Sequence, residues 1–337
     1  MSMTSMRRTL FLAAILLLGA GLQAQATPKP ALLALSKKDH TLAIVDPVTL
    51  KVVAKVPVGN DPHEVEASAD GKIAYVSNYG GGAYNTLAVV DLTRQKALPA
   101  IDLGPLRGPH GLMFTAGKIW FTAETAKAIG SYDPASGEID FILGTGENRT
   151  HMIWVSSDMR RIITTNIASG TVSIIEKAET HGPGPSSSDW DETVVKVGRG
   201  SEGFDVSPDG NEVWVANAQD ATVSIIDPVA RKVTETLASN TPGANRLKFT
   251  PDGHLVLISS LRNGELTILD ARSRKELKRL PLGRGAAGVL IQPDGARAFV
   301  AVSLDNNVAV IDLKTLEVVK RLDVGVEPDG LAWAAGR

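Results

Sequence analysis

Cysteine is absent from this 337-residue chain, and several classes of site are absent with it. Without a thiol there is no disulfide, thiolate-bound metal, cysteine nucleophile, covalently attached c-type haem or lipidated N-terminal cysteine. A surplus of positive charge is also missing, because 35 Lys and Arg residues face 37 Asp and Glu residues. Nucleic-acid-binding surfaces need clustered basic side chains, so we expect no nucleic-acid partner.

Long apolar runs are missing too, apart from one near the N-terminus. That run, from Leu10 to Leu22, has about 13 residues, which is too short to cross the roughly 30 Å core of a bilayer. Two arginines precede it, and Ala24-Gln25-Ala26 follows it with the small-x-small pattern of a signal-peptidase site. We therefore expect residues 1–26 to be a signal peptide, cleaved after Ala26. Residues 27–337 should then form one periplasmic or secreted domain without membrane insertion. The arginine pair also occurs in twin-arginine signals, so the export route stays open.

What the chain does contain is a repeat. Seven times, at intervals of 42 to 51 residues, an acidic residue follows an apolar run and precedes a polar turn. These acids are Asp46, Asp91, Asp133, Glu176, Asp227, Asp270 and Asp312. A second landmark, an Asp-Gly turn, separates several copies, as at Asp70-Gly71 and Pro208-Asp209-Gly210. The pattern predicts seven similar structural units.

Each unit has the pattern of four short strands. Apolar residues alternate with period two, and within the runs nothing recurs at helical spacing. A lone four-stranded sheet cannot bury both faces, so the units must stack, either around an axis as a β-propeller or along a line as a solenoid. The chain begins with the later strands of one unit (31–56) and ends with a first strand, Pro328–Ala334. We therefore predict an all-β, seven-bladed β-propeller of four-stranded antiparallel blades, closed by pairing of the C-terminal strand with the N-terminal blade. A closed ring leaves no blade edge that needs a second chain, so we expect a monomer.

The clearest copy, residues 201–237, resembles the YVTN-repeat family of seven-bladed propellers, the YncE-like exported proteins. This resemblance extends over about 300 residues and implies the fold, but such propellers host many unrelated functions. Two single blades also resemble enzymes. Gly108-Pro109-His110-Gly111-Leu112 and the residues after it are similar to a blade of the streptogramin lyases. Residues 61–65 together with 77–82 resemble lactonases of the phosphogluconolactonase type.

One position of the innermost strand differs from the apolar core positions around it. When the copies are aligned on the strand before each turn, the first residue of that strand is polar in six of the seven copies. It is His63, His110, His151, Glu202, Asn245, Ala287 or Asp329. In a closed propeller these equivalent side chains converge at the mouth of the central channel. We call these seven residues the mouth ring.

Three imidazoles beside carboxylates favour two kinds of chemistry. Neutral imidazole is the commonest metal ligand, so His63, His110 and His151 are the candidate ligands of a divalent metal, the one cofactor that the sequence indicates. A histidine also suits proton transfer near neutral pH. The plainer interpretation is that these histidines bond to water or backbone in a wet channel.

The loop of residues 78–85 lies on the same face and carries Tyr79 and Tyr84. It is either a recognition loop or an ordinary surface insertion. The candidate ligand-binding residues are therefore His63, His110, His151, Glu202, Asn245, Arg246, Asp329, Tyr79 and Tyr84. A second insertion, residues 177–192, extends a turn on the opposite face and should not reach the mouth ring.

Two functions remain open. The first is a scaffold that binds a small molecule or a protein at the mouth ring. It is favoured because the chain contains neither Gly-x-Ser-x-Gly nor His-Glu-x-x-His. The alternative is a metal-dependent lyase or lactonase-type hydrolase, with His110 as general base. The resemblance to the lyases implies Glu124, 14 residues later, as its acidic partner. Compared with those lyases, this sequence lacks one residue before Gly117 and has one extra residue, Ala123, before Glu124.

Overall fold

The computed structural model describes residues 25–178 and 189–336. The predicted signal peptide, apart from its last two residues, and positions 179–188 of the second insertion lie outside the described residues. In the described part of the chain, the strands form seven sheets, each of four antiparallel strands. The predicted seven-bladed propeller is confirmed.

The blades follow one another along the chain. Blade 1 contains β28 (Pro328–Ala334), β1 (Ala31–Ser36), β2 (Thr41–Asp46) and β3 (Lys51–Pro57). Blade 2 contains β4 (Pro62–Ala67), β5 (Ile73–Asn78), β6 (Thr86–Asp91) and β7 (Lys96–Asp102). Blade 3 contains β8 (Pro109–Thr115), β9 (Lys118–Ala123), β10 (Ala128–Asp133) and β11 (Glu138–Gly144). Blade 4 contains β12 (Thr150–Val155), β13 (Arg161–Asn166), β14 (Thr171–Lys177) and β15 (Trp190–Lys196).

The remaining three blades repeat the same order from the axis outward. Blade 5 contains β16 (Ser201–Val206), β17 (Val213–Asn217), β18 (Thr222–Asp227) and β19 (Lys232–Leu237). Blade 6 contains β20 (Ala244–Phe249), β21 (Leu255–Ser260), β22 (Glu265–Asp270) and β23 (Glu276–Pro281). Blade 7 contains β24 (Ala286–Ile291), β25 (Arg297–Val302), β26 (Asn307–Asp312) and β27 (Glu317–Leu322). Two single turns of 3-10 helix, Gly80–Gly82 and Ser303–Asp305, lie in loops. No helix in the described ranges is long and apolar enough to cross a bilayer.

The ring closes as the ends of the sequence predict. The C-terminal strand β28 pairs with β1 in antiparallel register, with Leu32 opposite Trp333 and Leu33 opposite Ala332. Blade 1 therefore joins both ends of the described chain in one sheet.

The core lies between blades rather than within a single layer. In blade 1 the middle strand β2 is buried along its length except at its two ends, because each blade is covered on both faces by its neighbours. Leu33 and Ile44 of blade 1, for example, share one apolar cluster with Val76 and Val90 of blade 2. Burying such a side chain contributes roughly 1.5–3 kcal/mol to folding. The blade-to-blade packing therefore fixes the direction of each innermost strand.

The repeated acid that reveals the seven copies has a structural role. Asp46 Oδ1 accepts a hydrogen bond of 2.8 Å from the backbone N–H of Val48, and Asp227 and Asp312 accept equivalent bonds. These carboxylates cap the tight turn between the third and fourth strands of their blades, as Asp side chains commonly do. Glu176, the one glutamate in the series, instead forms ion pairs with Arg161 and Arg231.

A β-bulge near the start of every innermost strand determines where the mouth ring points. In β4, Pro62 lies opposite Asn78 and Val65 lies opposite Val76, so the two residues between them are out of register. The same irregularity occurs in the other six innermost strands. A bulge re-aims side chains that a regular pleat would alternate. The mouth-ring residue is the second residue of each innermost strand, whereas the aligned copies predicted it to be the first.

Candidate functional site

All seven residues of the mouth ring line a single cavity of about 390 Å³ at one end of the channel. Equivalent positions converge there because the seven innermost strands surround one axis and share the bulge. We call this cavity the mouth pocket. Arg246 and Tyr79 line it as well, together with Lys37 and Arg149.

A buried group of two imidazoles and a carboxylate borders the mouth pocket, and both imidazoles line it. His110, Glu124 and His151 each offer a donor atom, and these atoms all lie within 4.8 Å of one another. The three residues are only 2–4% exposed. His110 and His151 have ring centroids 3.9 Å apart. Two nitrogen donors and one oxygen donor at this spacing are a set that a divalent transition metal accepts.

Glu124 follows the last residue of β9 and is held by three side chains. His151 Nδ1 contacts its Oε1, the Tyr79 hydroxyl donates a hydrogen bond to its Oε2, and Arg149 Nε lies 3.4 Å from the same oxygen. Burial raises the pKa of the Glu124 carboxyl, but hydrogen bonding and charge from His151 outweigh it and bring the pKa below its ordinary value. The carboxylate is therefore ionised and fixed in position.

The two imidazoles of the group have opposite electrostatic surroundings. Burial, together with the charges of His151 and His63, holds the pKa of His110 well below its ordinary value. Burial also lowers the pKa of His151, but the carboxylates of Glu202 and Glu124 outweigh this effect and raise it. Glu202 Oε1 lies 3.2 Å from His151 Nε2, so an acid stands at each nitrogen of that ring. This point of the pocket favours a positive charge, either a proton or a metal ion.

One ring nitrogen of His110 is free to bind a metal ion. Its Nδ1 is buried and has no hydrogen-bond partner among residues 25–178 and 189–336. Leaving a buried polar atom unpaired costs about 1–3 kcal/mol, and such atoms often mark an absent ion or water. The neutral ring and the unpaired nitrogen both fit a metal ligand.

His63 lies beside the group but is engaged elsewhere. Lys37 Nζ is 2.9 Å from its Nε2, and its Nδ1 is 3.3 Å from the backbone oxygen of Asp61. Burial lowers the pKa of His63, which leaves it neutral and able to accept the bond from Lys37. Lys37 is also 3.2 Å from Asp329. The structure thus groups His110 and His151 with Glu124 rather than with His63.

The remaining predicted residues divide between the pocket and other surfaces. Asn245 Nδ2 lies 3.2 Å from Glu202 Oε1, and the guanidinium of Arg246 pairs with Glu64 across the channel. Tyr79 stands over the rings of His63 and His110, with centroid separations of 4.8 and 5.2 Å. Tyr84 is 40% exposed and lines an outer groove instead, because the turn at Gly80–Gly82 carries it away from the axis.

Sequence reasoning missed a second convergent position. The residue that directly follows the second strand of a blade is Lys37, Tyr79 and Glu124 in blades 1 to 3, and Lys37 and Tyr79 line the mouth pocket. The copies in blades 6 and 7, Leu261 and Ser303, also line the mouth pocket. Aligning the repeats on the end of that strand would have found Lys37 and grouped it with Tyr79 and Glu124.

Comparison with known proteins gives the fold but no family. No protein-family model and no curated protein matches the chain. Among solved structures, hydrazine synthase of Kuenenia stuttgartiensis is similar with a TM-score of 0.68 at 20% identity, over 82% of this chain and 90% of that one. A putative 6-phosphogluconolactonase of Bacteroides uniformis gives a TM-score of 0.73 at 14% identity, over 90% and 99%. A putative 6-phosphogluconolactonase of Bacteroides fragilis gives a TM-score of 0.72 at 15% identity, over 92% of this chain and 99% of that one. At these identities the likeness establishes the β-propeller alone, and the neighbours include proteins of different activity.

Proposed function

We propose that the protein is an exported YVTN-repeat propeller that binds a divalent transition-metal ion in the mouth pocket and, beside that ion, a small ligand. His110, His151 and Glu124 hold the ion. The resemblance of the repeats supports the family, and the apolar N-terminal run with its cleavage pattern supports export. If export occurs, the mature protein begins at Thr27, which N-terminal sequencing of the purified protein checks.

One observation carries the metal site: a buried group of two histidines and a glutamate with donor atoms within 4.8 Å of one another. Three protein ligands leave a coordination position for a ligand or water, as in zinc sites that bind exogenous groups. Tyr79 and Arg149 hold the carboxylate from behind, which orients it toward the imidazoles.

The position of the group favours a small ligand over a protein partner. His110 and His151 line a cavity of about 390 Å³, and all three residues of the group are at most 4% exposed. A flat protein surface would not reach them, whereas pockets of roughly 300–1,000 Å³ take metabolite-sized molecules. The lining mixes Arg149, Glu202, Asn245 and Asp329 with apolar Ala287, so a ligand would meet several polar groups at once.

Metal titration of the full chain tests the proposal. We expect Zn²⁺ to bind with a stoichiometry of one per chain by calorimetry, and Co²⁺ to give a visible d–d absorption. His110→Ala should abolish both signals, whereas His254→Ala, at an exposed turn far from the mouth, should leave them unchanged. If neither ion binds saturably, or if His110→Ala binds like the unaltered protein, the proposal is wrong.

A metal-assisted lactonase or lyase is the second candidate. It is favoured by the finding that Glu124 lies in one group with His110 despite the one-residue shifts around Gly117. A bound ion would polarise a lactone carbonyl. In a lactonase, a water oxygen bonds to the carbonyl carbon, the ring C–O bond breaks, and the hydroxy acid releases a proton.

Proton release is therefore the assay for the lactonase. Zinc-loaded protein with glucono-δ-lactone should acidify a weakly buffered indicator solution faster than buffer does, and Glu124→Gln should lose that excess rate. If the protein acidifies the solution no faster than buffer does, aldonolactone hydrolysis is excluded as its function and only the binding function is left.

A further inference from the structure

The other end of the channel holds a second cavity that the mouth pocket does not explain. Its volume is about 470 Å³, and all seven innermost strands line it. The residue two positions beyond the bulge lines this cavity in every innermost strand. These residues are Glu66, Met113, Trp154, Asp205, Lys248, Leu290 and Ala332. We call this set the lower ring and the cavity the lower chamber.

An ion pair crosses the channel between the two cavities. Arg246 lines both of them, and its guanidinium pairs with Glu64, which stands on the opposite side of the axis. Four other blades have glycine at the position of Glu64 and Arg246. An added Cβ on these glycines would collide with the backbone of the next blade. At Gly203, for instance, it would lie 2.3 Å from the Asn245 oxygen. Large charged side chains therefore occur at this level only in blades 2 and 6, where Glu64 and Arg246 meet.

The charges of the lower chamber do not cancel. Glu64 is paired with Arg246, and Asp205 lies 3.5 Å from Lys248. Asp205 also accepts a hydrogen bond of 3.0 Å from the backbone of Phe249. Glu66 has neither a hydrogen bond nor an ion pair with any described residue. One carboxylate is therefore left over in a chamber whose other walls include Met113, Trp154 and Leu290.

Burial raises the pKa of Glu66 to about 7, although the positive charge of Lys248 opposes this and Glu64 adds to it. An uncompensated carboxylate in such a place is costly, and a cation brought beside it restores the charged form. Tryptophan and methionine side chains also attract organic cations, through the π-face of the indole and the polarizable sulfur.

We propose that the lower chamber is a second ligand site, which binds a small organic ammonium ion with its charge at Glu66 and its apolar part against Met113, Trp154 and Leu290. The size of the chamber suits a molecule of a single ring. The site opens on the face opposite to the mouth pocket, and it does not depend on metal binding there.

Benzylammonium is the probe, with benzyl alcohol and benzoate as neutral and anionic controls of the same shape. In the full-length protein, calorimetry at pH 8 should show saturable binding of benzylammonium, and at least tenfold weaker binding of both controls. Glu66→Gln should weaken benzylammonium binding by about tenfold or more, and Glu138→Gln, on an exposed outer strand, should not. Zn²⁺ binding by Glu66→Gln should equal that of the unaltered protein, so failure at one end of the channel is distinguishable from failure at the other.

The pH dependence of binding provides a test that needs no variant. Glu64, Asp205, Arg246 and Lys248 are the other charged groups facing the chamber, and each already has a partner. Affinity for benzylammonium should therefore rise between pH 6 and pH 8, as Glu66 loses its proton. Equal affinity for benzylammonium and benzyl alcohol, or an affinity that does not change over this range, would overturn the proposal.

Discussion

The two ends of the channel are lined by the same seven strands, yet they are built for different chemistry. At the mouth, side chains on and beside a bulge meet closely enough to pair, and Glu124 is held by His151, Tyr79 and Arg149. In the lower chamber the strands are regular, their side chains face a wider space, and Glu66 has no partner among the described residues. Local strand geometry thus separates a polar, preorganised site from a mainly apolar one with a single charge.

The largest expected difference is in metal binding by glutamate variants at the two ends. Glu124→Gln should weaken Zn²⁺ binding by on the order of 100-fold, because it removes a charged ligand and the carboxylate that pairs with Arg149 and with Nδ1 of His151. Glu66→Gln should change it less than about twofold, since Glu66 lies below the Arg246–Glu64 pair. Competition against a colorimetric chelator measures both. A similar loss in the two variants would mean that the channel behaves as one site.

The next largest effect is on the free energy of unfolding, through the packing of Gly111 at the bulge of β8. A Cβ at Gly111 would lie 2.5 Å from the backbone oxygen of His151 and 2.8 Å from the Cα of Met152. Gly111→Ala should therefore lower the free energy of unfolding by about 1–3 kcal/mol. Gly144 has no neighbour within 4 Å of the same atom, so Gly144→Ala should be neutral or stabilise by up to about 1 kcal/mol. Denaturant unfolding compares the two. Equal stability would show that blades 3 and 4 can separate at little cost.

A smaller difference in metal binding is expected between variants of Tyr79 and Tyr84, which lie in one loop. Tyr79→Phe removes a hydrogen bond to Glu124 and should weaken Co²⁺ binding by about tenfold, with a shifted visible spectrum and an unchanged melting temperature. Tyr84→Phe, on the outer groove, should leave the affinity and the spectrum unchanged. If the two variants behave alike, Tyr79 does not position the carboxylate.

Proton uptake at Glu66 gives the smallest effect. Its pKa of about 7 in the folded protein lies above the ordinary value of 4.5, so the folded state binds the proton more tightly than the unfolded state does. Stability should then fall as the pH rises from about 4.5 to 7 and level off above that. Because the chamber admits water, we expect a change of about 1 kcal/mol. His63, His110 and His151 also have shifted pKa values, so the measurement is the difference in free energy of unfolding between the metal-free unaltered protein and Glu66→Gln, which should fall by this amount from pH 5 to pH 7.5. If stability depends on pH in the same way in the unaltered protein and in Glu66→Gln, Glu66 is not the group with the raised pKa.

The mouth ring shows how far sequence comparison within one chain can go. Equivalent positions of a repeat occupy equivalent places around an axis, so His63, His110 and His151 could be placed at one level before any coordinate was known. Their bonding could not be predicted in this way. The bond between Lys37 and His63 joins the loop after β1 of blade 1 to the innermost strand of blade 2, and the repeat pattern does not show which side chains bond between blades.

The positions of the two tyrosines could not be predicted from the sequence either, although they lie close together in the chain. Tyr79 and Tyr84 lie five positions apart in one loop, and composition treats them alike. A single 3-10 turn at Gly80–Gly82, in which the backbone adopts positive φ angles, sends one ring to the channel and the other outward. Such a turn is set by contacts with the next blade, including the hydrogen bond from Thr125 to the Gly82 oxygen.

By itself, the sequence determined the seven blades, the closure of the ring and the level at which the histidines meet. Those features follow from repeat length and from alternation along a strand, which are regular properties that the chain carries locally. Only the tertiary structure decided that Glu124 rather than His63 joins His110 and His151, and that Glu66 stands alone at the other end. Pairing depends on ångström-scale distances between side chains from different blades, and packing of the whole ring fixes those distances.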